Sequence, residues 1–318
     1  METTNSIKIA VLANAFSKNE TLMNSLLKFF PNVVVGEKQG VRFTPPEMIS
    51  SLEDVDGAII SMDMVNEEVL RECPNLKVVS KYGVGLNNIN FGDCKKYKVA
   101  VKYKEGTNKT SVAELTLGFM LALSRNFYEN IKNIKQGIWN KKGGSDLSGK
   151  TIGMIGVGNV GRELVKLLKP FNCRILVNDL REDPEQLIFY EQNNLENVSK
   201  EEIYKNADII TIHLFLNDST KNLINMEILE SMKSSSYLIN TARSEIVNEK
   251  DLLEALKRRI IAGAALDVYP QEPPQNKELL SLDNLFCTPH IGGNSKEAIL
   301  NMGNAVINGL KEFFENES

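Results

Sequence analysis

The chain has 318 residues, enough for roughly two domains. Apolar residues make up 42% and charged residues 25%, an ordinary globular balance. A formal net charge of −4 without a basic stripe argues against a nucleic-acid partner, and no apolar run reaches the ~18 residues that span a bilayer, so no membrane role is expected.

The N-terminus, Met1-Glu2-Thr3-Thr4-Asn5, carries no basic stretch, so the following apolar run reads as a strand rather than a secretion signal. Strand-like and helix-like runs then alternate. Ile7–Asn14, Val33–Gly36, Asp56–Met62, Leu76–Gly83 and Val99–Tyr103 read as strands. Asn19–Phe30, Pro45–Leu52, Glu67–Cys73 and Phe91–Tyr97 read as helices. This alternation predicts a parallel sheet covered on both faces. A long helix follows, with Ser111 and Glu114 spaced as a capping box before the apolar face of Ala113, Leu117, Met120 and Leu121. A polar, glycine-bearing stretch, Lys141–Lys150, leads into the next strand, Thr151–Ile155.

Gly156-Val157-Gly158-Asn159-Val160-Gly161 comes next. It stands between that strand and an amphipathic run, Arg162–Phe171, and Asp179 ends the next strand 18 residues beyond Gly161. In that setting the glycine spacing is a dinucleotide fingerprint. Gly156 permits the tight turn, Gly158 lets a pyrophosphate approach the backbone, and Gly161 lets helix and strand pack closely. The phosphates are expected on amide groups at the helix N-terminus. Asp179 suits the free ribose hydroxyl of NAD and repels a 2′-phosphate; nearby Arg181 reads as solvated. NAD is therefore the expected cofactor.

The second half alternates again. Ala207–Leu214, Tyr237–Arg243, Ile261–Tyr269 and Leu285–His290 read as strands, Glu227–Met232 and Glu249–Arg259 as helices, and Ser295–Phe314 as a closing helix. Strand after strand ends in a polar group: Asp179, His213, Arg243, Asp267 and His290. Buried parallel strands are otherwise nearly continuous apolar runs, and ligands of open α/β sheets bind at their carboxyl ends. Three of these regions form a coherent chemistry. Arg243 offers a planar fork for a carboxylate. His290 carries a proton near neutral pH. Glu272 fixes the imidazole tautomer. Those are the parts needed to exchange a hydride and a proton between a nicotinamide and a 2-hydroxy acid. Taken singly, each residue has an ordinary explanation as a surface arginine, a loop acid or a capping histidine. Next to the fingerprint they read as catalytic.

Four cysteines, Cys73, Cys94, Cys173 and Cys287, lack any CxxC spacing and read as free thiols of a reducing cytoplasm. With only His213 and His290 available, no metal site is expected.

These motifs resemble the D-isomer-specific 2-hydroxyacid dehydrogenase family, and within it the phosphoglycerate dehydrogenases. The resemblance rests on Lys81-Tyr82-Gly83-Val84-Gly85-Leu86-Asn87-Asn88-Ile89, Ser111–Leu115, Gly156–Gly161, Asn240-Thr241-Ala242-Arg243, Ala265–Tyr269 with Glu272-Pro273, and Thr288–Gly293. It implies catalysis by Arg243, Glu272 and His290. It places cofactor contacts at Asn159, Val160, Asp179, His213, Thr241, Ala242, Asp267 and Gly292, with Asp267 on the nicotinamide carboxamide. Lys81, Gly83, Val84, Gly85 and Arg243 fall to the substrate. The implied fold is α/β: two doubly wound parallel-sheet domains. A Rossmann NAD-binding domain, 109–293, is inserted into a flavodoxin-like substrate domain, 1–108 with 294–318. A homodimer through the dinucleotide domain and the segment around Trp139 is implied as well.

The chain departs from the family in places. His213-Leu214-Phe215 replaces His-x-Pro, Tyr103–Gly106 replaces Asn-x-Pro-Gly, and Ile60–Asp63 lacks the arginines that phosphoglycerate dehydrogenases place there. An aspartate at 63 disfavours a phosphate, which Lys81, Lys102, Lys104 or Lys141 would have to offset. No C-terminal regulatory domain follows, so serine feedback is not expected. The expected activity is NAD-dependent oxidation or reduction of a small 2-hydroxy/2-oxo acid, D-3-phosphoglycerate first. Glyoxylate or hydroxypyruvate reduction is the alternative, and an NAD(H)-sensing corepressor is the alternative of another class.

Overall fold

The computed structural model describes residues 6–38 and 42–317. The first five residues, read above as lacking a secretion signal, lie outside them. The chain forms two compact units, Met1–Asn108 with Ser295–Ser318, and Lys109–Asn294.

Unit 1 begins β1 (Lys8–Val11), α1 (Asn14–Ser17), α2 (Glu20–Leu27), β2 (Asn32–Val35), α3 (Pro45–Leu52), β3 (Gly57–Ile60), α4 (Glu67–Leu70), β4 (Val78–Lys81), α5 (Phe91–Lys96) and β5 (Ala100–Lys102). The strands form one parallel sheet in the order β2-β1-β3-β4-β5. Alternate residues of β1 feed opposite faces. Ala10 packs with Met48, Leu52 and Ala58, whereas Ile9 and Val11 pack with Phe16, Leu22 and the closing helix residues Met302, Val306 and Leu310. Both faces are thus covered, which is why β3 and β4 are buried at every position. Asparagines set the helix starts: the Asn19, Asn66 and Asn90 side chains accept from Leu22, Val69 and Asp93 amides.

Unit 2 runs α6 (Lys109–Ser124), α7 (Phe127–Lys135), β6 (Thr151–Ile155), α8 (Asn159–Leu168), β7 (Arg174–Asn178), α9 (Pro184–Gln192), β8 (Leu195–Asn197), α10 (Lys200–Asn206), β9 (Ile209–Ile212), α11 (Met226–Ser231), β10 (Tyr237–Asn240), α12 (Glu249–Lys257), β11 (Gly263–Leu266), α13 (Lys277–Leu280) and β12 (Leu285–Cys287). The chain then returns to unit 1 as α14 (Lys296–Glu317). The second sheet is parallel throughout, ordered β12-β11-β10-β9-β6-β7-β8. Strand order reverses beside β6, so the glycine loop after β6 stands at the topological switch point. The doubly wound α/β class expected from the alternation is the one the chain adopts.

Several local readings are corrected. α6 already starts at Lys109, so Ser111 and Glu114 lie inside the helix and form no capping box. Burial of Val112, Ala113, Thr116, Phe119 and Met120 governs where that helix sits. The strands of unit 2 stop short of their expected ends: His213, Arg243, Asp267 and His290 follow β9, β10, β11 and β12 rather than closing them. At each point the chain leaves the ladder for a turn. The expected elements lack α7, α9, β8 and α10, although Asp183 before Pro184 and Ser199 before Glu202 are helix-start signals, their side chains accepting from the Gln186 and Glu202 amides. Helix α9 leaves Leu187 and Ile188 exposed, so its apolar residues trace no single stripe. Among the described residues no helix is long and apolar enough to cross a membrane, and no group of three metal-ligating side chains gathers.

Candidate active site

The three glycines of the β6–α8 loop differ in what surrounds them. Gly156 has φ +94°, and a Cβ there would lie 2.4 Å from the His213 carbonyl oxygen. Only glycine fits that crossing. Gly161 lies where a Cβ would stand 2.7 Å from the Gly156 carbonyl oxygen, so helix and loop touch backbone to backbone. Gly158 is the contrast: a Cβ would meet nothing within 4 Å. It is the N-cap of α8, with no side chain bonding the helix start. Asn159 is exposed and Val160 half-buried in the first turn. An open glycine before uncapped amide groups fits the pyrophosphate of a dinucleotide.

Asp179, just past β7, is half-buried. Its Oδ2 accepts from the Val157 N–H at 2.5 Å and its Oδ1 from the Arg181 N–H at 2.8 Å. The Arg181 guanidinium turns to Asp183 at 2.9 Å, so it is not a free cation for a 2′-phosphate. A residue that sequence reasoning missed stands behind this loop. Gln186 of α9, fully buried, reaches the Val157 carbonyl, Tyr190 and Arg162.

After β9, the His213 N–H donates to the Ile155 carbonyl at 2.8 Å, and Nε2 lies 3.1 Å from the Thr211 hydroxyl. Desolvation pushes its pKa down to about 4, so the ring is neutral. After β10, buried Asn240 shapes the turn. Its Nδ2 donates to the Arg243 carbonyl at 2.8 Å and its Oδ1 accepts from the Ala242 N–H at 3.0 Å. The Thr241 hydroxyl pairs with Thr116 of α6 at 3.1 Å. Arg243 Nη1 donates to the Ala242 carbonyl at 2.6 Å, and among the described residues no carboxylate bonds its guanidinium. Burial lowers the Arg243 pKa from its ordinary value, against the opposing pull of Glu245 and Glu272.

Asp267, 1% exposed, clasps the loop after β12. Its Oδ1 accepts from the Thr288 hydroxyl at 2.5 Å and the Ile291 N–H at 2.8 Å; its Oδ2 accepts from the Gly292 N–H at 2.7 Å. The carboxylate expected on a carboxamide thus engages three protein donors. The clasped loop carries His290, whose Nδ1 lies 2.7 Å from Glu272 Oε1. A carboxylate at that distance holds the proton on Nδ1 and leaves Nε2 as the working nitrogen. His290 has φ +54°, a conformation uncommon outside glycine and asparagine. Arg243, Glu272 and His290 are therefore brought to one sheet edge, with the fingerprint on the same edge.

The remaining expected contacts belong to unit 1. Gly83 has φ +119°, and Val84 and Gly85 are half-buried. The Lys81 ammonium is buried and donates to the Ser61 carbonyl and to Asn88 Oδ1, the latter at 2.9 Å. Asp63 is 2% exposed and accepts from the Phe43 N–H at 2.9 Å.

Comparison with known proteins gives the same outline. Residues 117–292 match the model of the NAD-binding domain of D-isomer specific 2-hydroxyacid dehydrogenases. The chain is 38% identical over 284 residues to the glyoxylate reductase of Thermofilum pendens, covering 86% of this chain and 83% of that one. It is 35% identical over 287 residues to the D-3-phosphoglycerate dehydrogenase of Methanocaldococcus jannaschii, covering 89% of this chain but 54% of that one. A solved protein of Thermus thermophilus superposes with a TM-score of 0.87 at 27% identity, covering 98% and 97% of the two chains.

Proposed function

Because the chain belongs to the D-isomer specific 2-hydroxyacid dehydrogenase family, whose members are NAD-dependent oxidoreductases, we propose that Arg243, Glu272 and His290 interconvert a short, unphosphorylated 2-oxo acid and its 2-hydroxy acid, with glyoxylate and hydroxypyruvate as the candidates. The observation that carries the catalytic part is the 2.7 Å pair of His290 Nδ1 and Glu272 Oε1.

In the reductive direction, protonated Nε2 of His290 gives its proton to the carbonyl oxygen, and Glu272 keeps the ring oriented while it does so. Arg243 holds the substrate carboxylate through its planar fork and polarises the carbonyl. NADH, when bound, supplies the hydride. Gly156, Gly158, Asn159, Val160 and Gly161 would hold its pyrophosphate, and Asp179 its ribose. His213, Thr241, Ala242 and Gly292 would line the remainder. Asp267 acts through the loop that it clasps. In the oxidative direction, neutral Nε2 takes the hydroxyl proton.

The preference against a phosphate rests on unit 1. The Lys81 ammonium is committed to Ser61 and Asn88, and no arginine stands at 60–63. The similarity to a glyoxylate reductase over most of both chains supports the same choice. The test is steady-state turnover with NADH and a panel of glyoxylate, hydroxypyruvate, pyruvate and 3-phosphohydroxypyruvate. The expected order places glyoxylate or hydroxypyruvate highest in kcat/KM. A higher value for 3-phosphohydroxypyruvate establishes the phosphoglycerate reading instead. Tight NADH binding without turnover of any acid favours a sensor.

A further inference from the structure

Behind the glycine loop lies a buried amide with every polar atom used. Gln186 Nε2 donates to the Val157 carbonyl at 3.3 Å and to the Tyr190 hydroxyl at 2.9 Å. Its Oε1 accepts from Arg162 Nη2 at 2.5 Å. Arg162 is itself fixed, by Glu185 at 2.8 Å and by lying 4.7 Å above the centre of the Phe189 ring. This sets the amide in one orientation. A flipped amide would face its nitrogen to a guanidinium and its oxygen to a carbonyl, repelled at both ends.

The consequence falls on one peptide. Val157 is gripped on both sides, its N–H by Asp179 and its carbonyl by Gln186. In a trans peptide the carbonyl and the following N–H point in opposite directions. Holding the Val157 carbonyl toward α9 therefore aims the Gly158 N–H away from it. Among the described residues that N–H has no acceptor, and the space around Gly158 is open.

We infer that Gln186 is a positioning residue for the dinucleotide: it sets the Val157–Gly158 peptide so that the amide groups opening α8 face the pyrophosphate. The inference rests on the reading of Gly156–Gly161 as the pyrophosphate cradle. Gln186 touches no ligand itself. A buried amide costs free energy unless its bonds are made, so its place behind this loop requires partners that match it atom for atom.

The experiment titrates ADP-ribose by calorimetry and NADH by fluorescence into the parent protein, Gln186→Glu, Gln186→Leu and Tyr190→Phe. Gln186→Glu keeps the shape and the acceptor toward Arg162 and removes the donor to Val157. It is expected to weaken both ligands about tenfold, the effect of one well-placed hydrogen bond. The KM for NADH rises with it, while kcat at saturating NADH stays at the parent value. Gln186→Leu behaves likewise, and Tyr190→Phe, which leaves the Val157 contact intact, binds as the parent does. Parent-like affinity in folded Gln186→Glu overturns the inference. So does an equal loss in Tyr190→Phe, which marks a general loosening of α9. Failure of both Gln186 variants to fold overturns it as well, since a role confined to the cofactor loop leaves folding intact. If the parent itself binds neither ligand, the cradle reading fails, and the inference with it.

Discussion

His290 combines a strained backbone with a free working nitrogen. Its φ of +54° is a conformation that costs ~1–3 kcal/mol for most residues and persists only where neighbours enforce it. The enforcement is visible. Asp267 ties down Thr288, Ile291 and Gly292, and Asn294 Nδ2 donates to the His290 carbonyl at 3.1 Å. Glu272 then fixes the ring. Glu272→Gln keeps the size of the side chain but lets an amide N–H face Nδ1, which selects the opposite tautomer and turns Nε2 from acceptor to donor. The expected outcome is a loss of ~10²-fold or more in kcat/KM, within the range that positioned acid–base groups contribute. NADH affinity stays unchanged, because the fingerprint lies on other strands. Steady-state kinetics in both directions, with an NADH fluorescence titration, check both halves. Near-parent turnover makes Glu272 an ordinary loop carboxylate.

Helix α8 shows how an element is built for a ligand at one end and for packing along its length. Leu164, Val165 and Leu168 bury its inner face, while its first residues stay unbonded by side chains. The two leading glycines separate these roles. Gly158→Ala places a methyl group in open space at φ −77°, so the melting temperature stays at the parent value while NADH affinity falls. Gly156→Ala forces a side chain into a positive φ and against the His213 carbonyl, so the fold itself loses stability by at least ~1–3 kcal/mol. Thermal melts beside NADH titrations on both variants provide the check. Equal melting temperatures for the two would contradict the assignment. The spacing of these glycines was legible in the sequence. The division between packing and binding was not, because it depends on what the chain of β9 places opposite Gly156.

At the scale of the whole molecule, unit 2 carries an apolar surface that its own core does not cover. Phe127, Ile131, Ile134 and Ile138 are about half exposed, and Trp139 is 77% exposed. The first three lie at helical spacing on α7, so they form one stripe, and an exposed stripe of this kind marks an association surface. The segment from Ile134 to Asp146 is exposed throughout, yet its C-terminal end is tied to α6 by the Ser145 N–H donating to the Ser124 carbonyl at 2.8 Å. The expected outcome is a homodimer in solution that uses this stripe. Ile131→Glu places a charge in its centre and should yield monomers by light scattering, with melting temperature little changed since Ile131 packs on no core. A monomeric parent would remove the stripe from any role in assembly.

The sequence by itself determined the class of fold and the chemistry. Strand and helix alternation, the Gly156–Gly161 spacing with Asp179 behind it, and the polar ends near Arg243, Asp267 and His290 are all local patterns. They follow from short-range geometry: a strand, a tight turn, a helix start. The tertiary structure alone decided what those groups touch. Glu272 meets His290 across 18 positions, Asp267 reaches a loop 24 and 25 positions on, and Lys81 turns to Ser61 and Asn88. Gln186 is the extreme case. Nothing in Pro184–Gln192 marks a helix with a stripe, and a glutamine has no preferred partner until packing brings a carbonyl, a hydroxyl and a guanidinium around it. Such a role exists only once β7 lies beside β6 and α9 packs behind the glycine loop, which is a property of the folded unit.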